Sequence, residues 1–313
     1  MTSSNDPEPR GRGDILPDDI RQALDGQVFE SLEEVNAFLA TLMQQRNQAS
    51  RADFQGLSPE QMHHLLISPF DSPSLATFAD APEEAPEAPM MRLLAMLLEA
   101  IGEKGLKPTT TGNLPRKIVR ESALAYYGEE RYLEHTKFSG FNSEPDFGDL
   151  HVTRLVAQLA GFIRKYQGRL ILSQKCRTLH AKKGLPGMYQ PLLRAYTTRF
   201  NWAYLSWIEE LPFIQHSFLF TIYLLQRFGE QWRETAFYED AFLRAFPKII
   251  EEVTPRPYID QETTLRHAYT ARTLSNFAVM FGLAEMRPVG EPMEYRSEIR
   301  KLPLLDAVVR FTV

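Results

Sequence analysis

DLHVTRLVAQLAGFIRKYQGRLILSQKCRTLHAKKGLPGMYQPLLRAYTTRFN, residues 149–201, is the stretch whose reading decides the fold. From Val152 to Phe162 the apolar residues Val152, Leu155, Val156, Leu159 and Phe162 recur at spacings of three and four, which is one face of an α-helix. Asp149 is read as its cap and Gly161 as its stop. Phe162-Ile163 and Leu170-Ile171-Leu172 then flank a polar run containing Gly168, the pattern of a short β-hairpin. Ser173 is placed to cap a further helix through Cys176 and Leu179 that Gly184 closes. A helix followed by a basic-tipped hairpin is the grammar of a winged helix.

The same grammar is read twice more. Upstream, an apolar helix over 91–101 leads through Gly105 to Pro115 into a helix over 116–127, with Asn113 as cap. Downstream, a helix over 263–281 ends at Gly282, and 283–287 can pair with 295–300 before Leu304 to Phe311 closes the chain. The fold class expected is mainly α, with tandem winged-helix-like units (helices with short β-hairpin wings) behind an acidic helical amino-terminal region. Thr109, Gly112, Asn113, Leu114 and Pro115, followed by Ala157, Gly161, Arg164, Lys165, Gly168, Arg169, Leu170, Leu172 and Ser173, form a pattern of packing and turn residues. On these residues the stretch 105–201 resembles the carboxy-terminal winged-helix-like region of an uncharacterised bacterial family, the plasmid-borne ORF-three-like proteins. It departs from that pattern at Pro108, Ser173 and Cys176. The resemblance implies a fold and no activity.

The 313 residues carry a formal charge of −5, but unevenly. Residues 1–103 sum to −12, residues 104–201 to +10 and residues 202–313 to −3. The stretch 150–201 holds ten Lys and Arg and no Asp or Glu. Such a block can release counterions from phosphates, or meet an acidic protein surface, including the acidic amino-terminal third of its own chain. Arg164, Lys165 and Arg169 are expected at the hairpin tip, with Lys175, Arg177, Lys182 and Lys183 on the next helix. Thr153, Arg154 and Gln158 are expected outward on the helix before it, Arg154 approaching a DNA groove.

Residues 1–14 read as disordered, and 1–67 as the acidic helical region, with Pro17 opening its first helix, Ser31 to Glu34 a capping box and Ser58-Pro59 a sharp helix entry. Residues 68–89, with five prolines among acidic and small residues, read as a linker. Paired modules follow over 90–201, and 202–313 is an aromatic-rich helical region ending in the third module. Its aromatics read as core.

Other chemistry leaves little trace. The single cysteine excludes an internal disulfide, and Cys176 has no base at fixed spacing. The seven histidines form no zinc-protease spacing, and Asp146, Asp149 and His151 lack a third ligand fixed by spacing, so no metal or cofactor is expected. No apolar run is long enough for a membrane span and the amino terminus has no signal-peptide core, so a cytoplasmic location is expected. The leading function expected is therefore non-enzymatic nucleic-acid binding or regulation through the basic module. The alternative is a protein-interaction or scaffold role, and an enzyme of unknown chemistry comes third.

Overall fold

The computed structural model describes residues 18–137, 139–204, 206–290 and 296–312; the expected disordered stretch 1–14, Pro17 and the tip of the last hairpin lie outside these. The chain is mainly helical with small antiparallel sheets. Helices α1 (Asp18–Asp25) and α2 (Leu32–Gln48) come first. Ser31 caps α2 by accepting from the Glu34 N–H, but the Glu34 carboxylate accepts from Glu30 and so closes no reciprocal box. No residue of α2 is buried. Helix α3 (Pro59–Ile67) opens with a complete capping box between Ser58 and Gln61, as its sequence predicts.

The proline-rich stretch 68–89 is not a free tether. Leu75, Ala76, Ala85 and Ala88 are buried in it, and β1 (Ala76–Phe78) pairs antiparallel with residues 309–311 at the far end of the chain. Alanine and proline let this segment lie flat on the core, which composition alone does not distinguish from a linker.

The rest is built on one order of elements used twice. The first copy is α4 (Pro89–Ile101), a bridging residue Leu106, α5 (Arg116–Tyr127), a short α6 (Glu129–Thr136), α7 (Gly148–Leu159) and the hairpin β2 (Ile163–Tyr166) and β3 (Arg169–Leu172). Helices α8 (Gln174–Lys183), α9 (Tyr189–Thr198) and α10 (Pro212–His216) lead to the second copy. That copy is α11 (Phe218–Phe228), β4 (Arg233–Glu234), α12 (Thr235–Ala245), α13 (Gln261–Tyr269) and the hairpin β5 (Ala284–Val289) and β6 (Arg296–Lys301). Helix α13 continues as a π-wound segment, Thr270–Val279. The chain then closes with α14 (Pro303–Val308) and β7 (Val309–Phe311). A bridging residue in the first copy, and the short strand β4 in the second, lies beside the second hairpin strand. Leu106 pairs with Leu170, and β4-β6-β5 is the order of the second sheet.

Backbone bonds repeat as well. Phe162 N–H donates to Ala157 and Leu283 N–H to Ala278, at 2.8 and 2.9 Å. Ser173 N–H donates to Phe162 and Leu302 N–H to Leu283, again at 2.8 and 2.9 Å. The upstream and central modules of the sequence are thus one unit: the segment 105–115 supplies Leu106, which bridges to Leu170 of the hairpin of residues 163–172.

Local readings fare unevenly. Gln167 and Gly168 both take positive φ (45° and 73°), the two-residue turn that the Gly-containing tip predicts. Ser173 accepts from Cys176 N–H at 3.0 Å and caps α8. Asp149 does not cap α7: it sits inside the first turn, behind Phe147. Asn113 does not cap α5 either, because Pro115 takes that place and Asn113 bonds Thr109 and Thr111. The aromatic run forms core as expected, with Tyr196, Phe277 and Phe281 in mutual ring contact. Tyr204 and Trp207 are exceptions and stay exposed.

Candidate nucleic-acid interface

The interface expected has two parts, a wing and a helix, and the structure treats them differently. The hairpin expected as the wing is β2–β3, and α8 follows it. Arg164, Lys165, Lys175, Arg177 and Lys182 are exposed there, and no carboxylate pairs with any of them among the described residues. Arg164 lies over the exposed ring of Tyr166, 5.1 Å from its centroid.

Two of these cations, and Arg169 beside them, have structural partners in the backbone. Lys175 Nζ donates to Ala160 O at 2.8 Å, closing the end of α7. Arg177 donates to Leu172 O at 2.8 Å. Arg169 donates to Lys104 O at 3.0 Å and Gly105 O at 2.6 Å, holding the segment before Leu106 against the hairpin. Carbonyl partners leave the charge uncompensated. The acidic part of the chain meets the basic block through Asp80, which pairs with Lys183, and Asp71, 3.7 Å from Arg194. Both belong to the packed stretch 68–89, and neither touches the wing.

The helix departs from expectation. No residue of α7 is exposed. Thr153 and Arg154, read as outward, are buried, at 0% and 6% exposure. Thr153 bonds back to Asp149 O at 2.7 Å, and Arg154 is drawn in by Glu144, itself fully buried in the turn before α7. Its carboxylate accepts from Leu114 N–H at 2.5 Å, from Arg154 Nε at 2.5 Å and from His151 Nδ1 at 2.8 Å. A carboxylate in this set only accepts, so His151 carries its proton on Nδ1. Its Nε2 lies 3.1 Å from the Tyr204 hydroxyl, within hydrogen-bond distance. Arg154 Nη1 also donates to Gln158 Oε1 at 3.0 Å. One acid thus gathers the loop before α5, one face of α7 and the segment after α9. Burial pushes the Glu144 carboxyl up, but the bonds from His151, Arg154 and Leu114 outweigh it and hold it below the usual glutamate range. Arg154 belongs to this structural network and cannot approach a groove.

Asp146, Asp149 and His151 do not converge. Asp146 accepts from Asn142 and Ser143 N–H, at 2.9 and 2.8 Å. Asp149 instead lines a cavity of about 60 Å³ with Met90, Tyr196, Phe200 and Trp202. Burial raises the Asp149 carboxyl above the usual aspartate range, His135 pulling it partly back. A raised folded-state value means stability that is full in acid and is lost as pH rises through it. Asp149→Asn is expected to raise thermal stability at neutral pH, with the gain fading as pH falls through the raised folded value and gone below about 3.9. Paired melting curves at pH 7 and in acid check this. Among the described residues no group of three or more His, Cys, Asp and Glu is placed to hold a metal, and no helix is long and apolar enough to cross a membrane.

The wing and the helix lie in the part of the chain that known proteins resemble. Residues 86–185 match the family model described as the Y4jL N-terminal domain. The match runs from the start of α4 to the end of α8, so it takes in the whole first copy of the repeated order and leaves out the second. It overlaps the stretch 105–201 on which the family resemblance rests, and its description carries no activity. No curated protein and no solved structure matches the chain.

Proposed function

We propose that the chain is a non-enzymatic nucleic-acid-binding protein with two winged-helix-like units, the first of which grips phosphate backbone through its wing. The winged-helix reading is supported by the order of helix, extended segment, helices and hairpin in both copies, with that segment (Leu106 in the first, β4 in the second) beside the second hairpin strand. The observation that carries the nucleic-acid reading is the uncompensated basic wing, Arg164, Lys165, Lys175, Arg177 and Lys182, on a protein of net negative charge. The second hairpin makes the contrast. Its Arg287, Arg300 and Lys301 are paired with Glu298, Glu285 and both Glu230 and Asp306. Charge left open on one wing and closed on the other favours one polyanion site. With α7 sealed inside, contact is to phosphate and not to base edges, so binding is tolerant of sequence.

The test is an anisotropy titration of duplex and single-stranded DNA at two salt concentrations. Arg164, Lys165 and Lys182 are the residues to reverse, since Arg169 and Arg177 also hold the backbone. The Arg164→Glu/Lys165→Glu/Lys182→Glu variant is expected to lose affinity about equally for unrelated sequences, and the salt slope to fall by about 1 per residue. Unchanged binding in a folded triple variant rules out the wing. No binding by the unaltered protein at low salt would leave the basic face to an acidic protein partner. That second reading is favoured by the exposed Tyr204, which lies 3.1 Å from His151 of the first unit.

A further inference from the structure

The second copy hides a cation of its own. Arg272 is 2% exposed, on the π-wound part of α13. Its Nη2 donates to Ser206 Oγ, Ile208 O and Glu209 O at 3.1, 2.7 and 2.8 Å, so all its partners are neutral oxygens. The two acids nearest in sequence to those oxygens are engaged elsewhere: Glu209 with Thr254 N–H and Arg256, Glu210 with Asn201 Nδ2. Arg272 Nε is buried with no hydrogen-bond partner among the described residues, and Nη1 has none there either. A guanidinium cannot shed its proton to escape such a site. An unpaired buried cation is costly, which makes it an anion receptor in waiting.

Arg272 also lines a cavity of about 590 Å³, a volume suited to a small molecule. Trp202, Phe200, Phe218 and Leu66 give it apolar walls, and Arg199 and His216 stand on the same lining. Glu210 is the one acid on that lining, and Asn201 bonds it. Longer π-wound runs are rare, and where π turns occur they often mark functional sites. Here the run carries the buried arginine.

We propose that Arg272 anchors a binding site for a small organic oxyanion, a carboxylate or phosphate ester with an apolar body. The oxyanion pairs with the guanidinium and the body lies against Trp202 and Phe218. The site is separate from the basic wing, so it stands or falls independently of nucleic-acid binding.

Tryptophan fluorescence of the full chain, titrated with octanoate, phenyl phosphate and inorganic phosphate, tests it, with Trp202 as the reporter in the wall. Saturable binding of octanoate alone assigns a carboxylate ligand, of phenyl phosphate alone a phosphate ester, and of both a site that reads the oxyanion head. Arg272→Met is expected to weaken binding about 10- to 100-fold, the loss of a charged hydrogen-bond partner. Ala203→Leu, which fills the cavity and leaves Arg272 in place, is expected to weaken it as well, and keeps the test decisive if Arg272→Met does not fold. No saturation with any organic probe at millimolar concentration overturns the proposal, as does equal binding by a folded variant. So does inorganic phosphate binding as tightly as phenyl phosphate, because the apolar walls would then contribute nothing.

Discussion

Glu144→Ala is expected to cost about 3–5 kcal/mol, the penalty for removing one partner of a buried ion pair. Three groups lose their acceptor together: the Leu114 N–H, His151 and Arg154. Arg154 and His151 are each 6% exposed, so water cannot replace what is lost. Against a total stability that for most proteins lies at about 5–15 kcal/mol, this is a large fraction. Denaturant titration of the variant measures it. Glu144→Ala/Arg154→Met should recover part of the loss, since the second change removes the stranded cation.

The pH dependence has a definite sign. The Glu144 carboxyl is held below its ordinary range in the folded state, so its contribution is present above the ordinary glutamate value, about 4.3, and disappears as pH falls through the lower folded value. Glu144→Gln should flatten the stability profile in that acid window. An unaltered profile would show that the carboxylate is not ionised in the fold.

Gly105→Ala is the second large effect. Gly105 has φ +70°, and a Cβ there would lie 2.7 Å from Ile171 Cγ2 and 2.8 Å from Leu170 O. The left-handed backbone costs a side chain about 1–2 kcal/mol, and forcing the hairpin aside adds about 1–3 kcal/mol. The displaced atoms belong to the hairpin that Leu106 grips through two bonds of 2.8 Å to Leu170. Amide exchange at Leu106 and Leu170 should therefore accelerate along with the fall in stability. Gly168→Ala is the control. Its φ is +73°, but nothing lies within 4 Å of the added carbon, so only the backbone term of about 1–2 kcal/mol applies.

What could be read from the chain was whatever local spacing controls. The hairpin of residues 163–172, the Ser58 and Ser173 caps and the aromatic core all follow from period and turn chemistry within a dozen residues. The fusion of two apparent modules into one did not, because the pairing of Leu106 with Leu170 spans a long insertion. Arg154 was misplaced for a related reason. Its partner Glu144 sits outside the helix, in the turn before α7, and only the positions of His151 and Arg154, three apart on one helix face, signal a shared acid. Arg272 left a clearer trace. With Leu265, Ala268 and Tyr269 it occupies the positions i, i+3, i+4 and i+7 of an apolar stripe, where an arginine announces burial.

The pairing of β1 with β7 bears on how the protein is made. These strands come from nearly opposite ends of the described chain, yet Ala76, Thr77 and Phe78 align with Phe311, Arg310 and Val309. During synthesis the segment around β1 emerges long before residues 309–311, and must wait for them. Closing so long a loop carries an entropy cost that only late, already ordered neighbours can offset. The strand over residues 309–311 is therefore the latch of the fold: without it the edge of β1 is left unpaired.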